Sequence, residues 1–87
     1  MPEELVGSVV HFFKGPSVAV VRITAGALVV GDRVRFHGHT TDFTEQIGSM
    51  EVNHQKVERA GPGDEVAIQV TDRTRPHDQV LKVSPEG

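Results

Sequence analysis

The stretch "SMEVNHQKVERAGPGDEVAIQV", residues 49–70, decides the fold. In its last six residues Val66, Ile68 and Val70 share one face while Glu65, Ala67 and Gln69 share the other. This is the period of a half-buried antiparallel strand, because successive side chains of an extended chain point to opposite sides. Immediately upstream, Pro62 and Gly63 fill the second and third positions of a turn. Proline presets φ there, and glycine accepts the positive φ that a type II turn demands. Asp64 then launches the strand. "VGDRV" at 30–34 repeats the arrangement with Gly31 and Asp32, so the chain uses one turn device twice. A phosphate-binding loop needs a second glycine followed by Lys-Ser or Lys-Thr and then a helix. "AGPGDEV" has neither the lysine nor the helix, so no nucleotide and no other cofactor is expected.

Working outward, alternating or β-branched runs lie at 5–13, 17–24, 32–37, 43–57 and 79–83, separated by Gly, Pro and Asp clusters. With 65–70 they make about six strands. No stretch of a dozen residues carries the i, i+3, i+4, i+7 spacing of an amphipathic helix. Many short strands in 87 residues predict an all-β fold, a small closed antiparallel β-barrel, because closure removes edges that would otherwise pair with other molecules. Val34, Phe36, Ile47, Val52, Val66, Ile68, Val70 and Leu81 are the expected interior. Phe43 and Ile47 occupy odd positions but Met50 and Val52 even ones, so the inward face changes parity across Gly48. That predicts a β-bulge and a barrel corner at Gly48.

With 87 residues and 37% hydrophobic content, the chain is read as one domain with one small core. There is no cysteine, hence no disulfide framework or thiolate zinc site. The apolar runs fall far short of the roughly 20 residues a membrane helix requires. Met-Pro-Glu-Glu-Leu begins with acid where a signal peptide carries basic residues, so a cytoplasmic location is expected. A formal charge of −3, from 12 acidic and 9 basic residues, argues against a bulk electrostatic grip on a polyanion.

The segments "ITAGALVVGDRVRFHG", "SMEVNHQKVERAGPGDEVAIQV" and "HDQVLKV" together resemble the second domain of the translational GTPases, the β-barrel of elongation factor Tu and its relatives. Gly26, Leu28, Gly31, Asp32 and Val34 match that family's first motif. Gly63, Asp64 and Val66 match the second, and Val80 and Leu81 the third. The resemblance implies a translation-factor barrel that helps hold the aminoacylated end of tRNA. Arg22 matches an arginine of the corresponding strand. Asn53 stands where the family has an aromatic lining the aminoacyl pocket, and Arg59 where it has a glutamate packing on the terminal adenine.

Asn53, His54, Lys56 and Arg59, with Arg22, are therefore the candidate partner-binding residues. Their amide, imidazole and guanidinium groups suit base edges and phosphates of an unpaired RNA end. Gly31, Asp32, Gly48, Pro62, Gly63 and Asp64 are structural turn residues. His37 and His39 lie two apart and, with Asp42, have the makings of a metal site, but a loop supplying all three lacks second-shell support and is read as a solvated hairpin tip. Of Phe12 and Phe13, which fall on opposite strand faces, one is expected in the core and the other exposed. "TDRTRPHDQ" at 71–79 reads as a long polar turn. No Gly-x-Ser-x-Gly elbow, cysteine nucleophile or paired base is present, so no enzymatic activity is expected. Two functional readings follow. One is a stand-alone translation-factor-like barrel that binds RNA, such as a tRNA end, or a ribosome-associated protein. The other is a protein-interaction module serving an enzyme on another chain.

Overall fold

Three aspartate turns organise the chain. In the computed structural model, which describes residues 3–83, Val29–Asp32, Gly61–Asp64 and Arg75–Asp78 have the same hydrogen bonds. The aspartate N–H donates to the carbonyl of the residue three before it, at 2.9, 3.1 and 3.1 Å. The aspartate Oδ2 in return accepts from that residue's N–H, at 2.9, 3.0 and 2.8 Å. The third position is left-handed in each, with φ of 101° at Gly31, 91° at Gly63 and 77° at His77, as a type II turn requires.

Each turn also docks on one buried residue of a neighbouring segment. Gly31, Gly63 and His77 donate their N–H to the carbonyls of Ile47, Ile23 and Val9, and those residues donate theirs to the carbonyls of Asp32, Asp64 and Asp78. Two residues beyond each aspartate stands a fully buried valine: Val34, Val66 and Val80. The third copy escapes the sequence because histidine occupies the position that glycine marks in the other two.

The strands are β1 (Glu3–Phe13), β2 (Val18–Ile23), β3 (Leu28–Val29), β4 (Arg33–His37), β5 (Asp42–Gln46), β6 (Met50–Val52), β7 (Gln55–Val57), β8 (Arg59–Ala60), β9 (Glu65–Gln69) and β10 (Gln79–Val83). Eight form an antiparallel sheet in the order β5-β4-β10-β1-β2-β9-β6-β7, and β3 pairs with β8. The expected closed barrel is not formed: among the described residues no ladder joins β5 to β7, the strand at the other end of the sheet. β7 pairs with β6 alone, and β5 runs on into β6 through Ile47–Ser49. The curled sheet is joined across that gap by the covalent chain rather than by hydrogen bonds.

The segment 43–57, expected as one strand, is three. It breaks at Ile47–Ser49, where the backbone of Ile47 bonds to the Gly31–Asp32 turn, and again at Asn53–His54. Those two residues have φ of 53° and 64° and form the two-residue loop between paired Val52 and Gln55. Positive φ at both central residues is the type I′ geometry that suits the twist of a hairpin. Gly48 therefore lies in a crossing between ladders, not in a bulge. The register shifts fall instead in β1, between Leu5 and Gly7 and between Val9 and His11, where extra residues bend the longest strand.

Val34, Phe36, Ile47, Val66, Ile68 and Val70 are buried as expected, joined by Val6, Val9, Val21, Ile23, Leu28, Met50 and Val80. Val52 and Leu81 are only partly buried. Val80 takes the inner position in place of Leu81, because the Asp78 turn sets the phase of β10 as its counterparts set β4 and β9. Phe43 stacks on buried Phe36 with ring centroids 5.0 Å apart, an offset arrangement worth about 0.5–1.5 kcal/mol beyond its area.

On the outer face Arg35 binds both oxygens of Asp42, at 2.8 and 2.9 Å, and reaches Glu3 at 3.2 Å. The hydrogen bond and charge of Arg35 hold the Asp42 carboxyl below the ordinary aspartate range, and Asp42 in turn raises the Arg35 guanidinium.

Two measurements check these interactions. Gly63→Val is expected to lower the unfolding free energy by more than about 1 kcal/mol, since a β-branched residue resists φ > 0. His77→Gly is expected to raise it by up to about 1 kcal/mol by releasing backbone strain. Urea titration reads both, and a stabilising Gly63→Val or a destabilising His77→Gly would contradict the shared turn. For Asp42 the folded-state pKa is depressed, so its contribution is complete above the unfolded value and vanishes as pH falls through the folded one. Asp42→Asn should therefore flatten the acid limb of a stability profile below about pH 4; an unchanged limb would mean that the fork with Arg35 does not persist in solution.

Candidate functional site

The residues nominated for partner binding fall at three places. Asn53 and His54 are the exposed tip of the β6–β7 hairpin, with side-chain directions set by left-handed backbone. Lys56 lies on β7 opposite Glu51 of β6. Because the neighbouring pair Met50–Val57 faces the core, Lys56 and Glu51 face out. Lys56 also borders a shallow cleft of about 310 Å³ with Val30, Gly48, Ser49 and Glu58. Arg59 is on β8, paired with Val29 of β3, and Val29 and Val30 are exposed apolar side chains beside it.

Arg22 stands apart from this group. It lies on β2 opposite Glu65, whose carboxylate it binds at 3.0 Å, with both side chains at least half exposed. Two strands, β9 and β6, separate β2 from β7, which places Arg22 about 14 Å from the Lys56 row. The fold thus gathers Asn53, His54 and Lys56 on one hairpin and does not bring Arg22 to them. Pro62, Gly63 and Asp64 are held against the end of β2 through Ile23, so this turn is a fixed wall beside Arg22.

Among the described residues no group of three or more His, Asp and Glu side chains is arranged to hold a metal. Asp42, weighed with His37 and His39 as a metal ligand and read as part of a hairpin tip, is held by Arg35. Phe12 packs against the core, while Phe13 is 47% exposed and lies beside His11, ring centroids 4.3 Å apart. These two rings stand on the same outer side of β1, the side that also carries Val20 and Val18 of β2.

A feature that sequence inspection did not identify lies along β5. Thr40–Phe43 face Asp72, Arg73 and Arg75 across a polar pocket of about 260 Å³. Further along, Glu45, Gln46, Gly48 and Ser49 face Gln69, Val70 and Thr71 across a cleft of about 420 Å³. Glu45 Oε1 bridges the two, accepting from the Thr71 N–H at 2.9 Å and from its hydroxyl at 3.2 Å. The signal available was Arg-x-Arg at 73–75, whose spacing puts both guanidiniums on one side of an extended chain; its partner wall, some 30 residues away, was not legible. Among the described residues no helix is long and apolar enough to cross a membrane.

Comparison with known proteins places this geometry. The chain is 36% identical over 76 residues to an uncharacterized protease of Methanocaldococcus jannaschii, covering 86% of this chain but 18% of the relative. It is 30% identical over 78 residues to a collagenase of Porphyromonas gingivalis, covering 88% of this chain and 22% of the relative. Elongation factor 1-alpha of Methanopyrus kandleri is 39% identical over 59 residues, covering 62% of this chain and 14% of that protein. The chain thus spans about a fifth or less of the length of these curated relatives. In fold it is similar to the crystallised C-terminal domain of a Geobacillus thermoleovorans protein assigned to the U32 peptidases, with a TM-score of 0.85, 23% identity and 93% of each chain covered. The family of elongation factor Tu domain 2 matches residues 17–75, across the first two aspartate turns and up to the first residue of the third, and the chain belongs to that family.

Proposed function

We propose that this chain is a non-catalytic binding module that serves an enzyme of the U32 peptidase and collagenase type. The observation that carries this reading is one of proportion. The likeness to protease relatives takes in 86% and 88% of this chain and only 18% and 22% of theirs, and the similar solved structure is a terminal domain. What is shared is one domain-sized part of those relatives rather than a whole peptidase. The chemistry agrees with that division. The chain has no cysteine, the carboxylates of Glu3, Asp32, Asp42 and Glu65 are engaged by Arg35, Lys82 and Arg22, and the clefts described above are open and shallow, unlike the enclosed apolar pockets that position small substrates.

A second reading keeps RNA as the partner, and the likeness to elongation factor 1-alpha favours it. Its residues are those of the hairpin and β8: Asn53, His54, Lys56 and Arg59. With Arg22 on another part of the surface and paired to Glu65, the free cationic area is small. Phosphate contacts dominate nucleic-acid affinity, so this reading ranks second.

The experiment is a mixing assay. The chain is combined with a U32-type peptidase from which the terminal barrel has been removed, and complex formation is followed by analytical ultracentrifugation with and without nuclease. A complex that survives nuclease is the expected result. No complex at tens of micromolar, together with salt-dependent binding of a CCA-ended RNA that Arg59→Glu weakens, would replace this reading by the second.

A further inference from the structure

The β5 strand has a free main-chain edge. Among the described residues it pairs with β4 alone and ends the sheet, so alternate N–H and C=O groups along Asp42–Gln46 point away from the sheet. Natural proteins blunt such edges with charged side chains, proline, bulges or covering loops. β5 has no proline and no bulge, and its two charged residues, Asp42 and Glu45, are taken up by Arg35 and Thr71. Residues 69–75 line a cleft beside it without pairing to it, and the Glu45–Thr71 bridge closes only the middle.

At the Asp42 end of this edge stand Arg73 and Arg75. Both are exposed, and among the described residues neither takes part in an ion pair, whereas Arg22, Arg35 and Lys82 do. The carboxylates that share their pocket are already committed. Asp42 is gripped by the fork of Arg35, and Asp72 turns an oxygen onto the Arg73 amide at 2.8 Å. Thr40 and Thr41 complete the wall.

We infer that the Asp42–Thr44 half of β5, together with Arg73 and Arg75, is a binding site for an extended peptide with a free C-terminal carboxylate. The combination selects the ligand class. Two unpaired guanidiniums call for an oxyanion, and a free strand edge calls for a main chain that donates and accepts alternately. A phosphate or an RNA backbone satisfies the first and not the second; a peptide with a free carboxylate satisfies both. With its carboxylate at the Asp42 end, the peptide runs antiparallel to β5, the commoner pairing. Ladder bonds from Asp42–Thr44 supply sequence-independent affinity, and the arginines fix the end of the chain. The inference deepens the reading of the protein as a module serving a peptidase, since hydrolysis of a peptide bond creates a new C-terminal carboxylate.

The test uses the full chain alone, followed by backbone amide shifts. The probes are the extended peptide acetyl-Ala-Thr-Val-Thr-Val as its free acid, the same peptide as its C-terminal amide, inorganic phosphate, and a six-nucleotide single-stranded RNA. The free acid is expected to shift Asp42–Thr44 and Arg73–Arg75 together, and the amide to bind about tenfold more weakly or worse. The double variant Arg73→Gln, Arg75→Gln should abolish the preference for the acid while keeping the wild-type unfolding midpoint. Equal binding of acid and amide, shifts elsewhere, stronger displacement of the same amides by phosphate or RNA, or no binding at millimolar peptide would each overturn the inference. None of these outcomes bears on complex formation with a peptidase, so the two proposals fail separately.

Discussion

The structure depends on one interaction made three times, an aspartate carboxylate that accepts the N–H of the residue three before it. That bond holds the intervening pair in a turn whose second member is left-handed, and it fixes the direction in which the next strand departs. Because the turn also exchanges two main-chain hydrogen bonds with a buried residue of another segment, each copy ties together parts of the chain remote in sequence. Ile47, Ile23 and Val9 receive the three turns, and all three are core residues. The pattern also phases the strands. Once the aspartate is placed, the residue two beyond it faces inward, and valine stands there each time.

The same device accounts for how the sheet is almost, but not fully, closed. Docking of the Gly31–Asp32 turn on Ile47 holds the end of β5 beside the start of β4, after which the chain crosses by Gly48 and Ser49 to begin β6 next to β9. A chain crossing from one ladder to another leaves the outer edge of β5 without a partner. An unpaired edge invites association, so incomplete closure also leaves a strand edge on which another chain could pair.

The exposed chemistry is sorted by position. Paired charges, Arg22 with Glu65 and Arg35 with Asp42 and Glu3, lie on the outer sheet face, where surface ion pairs contribute little stability but occupy the groups that make them. Among the described residues, Lys56 on β7 and Arg73 and Arg75 in the 71–75 loop take part in no ion pair. The fold of elongation factor Tu domain 2 fixes neither role by itself, since one scaffold hosts many functions. The surroundings of those cations differ: the β7 strand and a shallow open cleft at Lys56, and a polar pocket beside the β5 strand edge at Arg73 and Arg75.

By itself the sequence determined the all-β class, two of the three turns, and the inner faces of β4 and β9. These are local properties, written in period-2 alternation and in Gly-Asp-x-Val. It could not phase β10, because Val80 and Leu81 are adjacent and both apolar, and the choice belongs to a turn whose left-handed residue is histidine. Nor could it divide 43–57, since apolar residues continue through the crossing at Gly48, and the Asn53–His54 loop lacks the glycine that usually announces a type I′ turn. Asn53, His54 and Lys56 were legible as a group because they are neighbours in the chain. The strand order, the free edge of β5 and the meeting of Thr40 and Thr41 with Arg73 and Arg75 were decided only by tertiary structure. Those meetings join segments about 30 residues apart, and which distant segments come together depends on the pairing of the whole sheet, which no short pattern encodes.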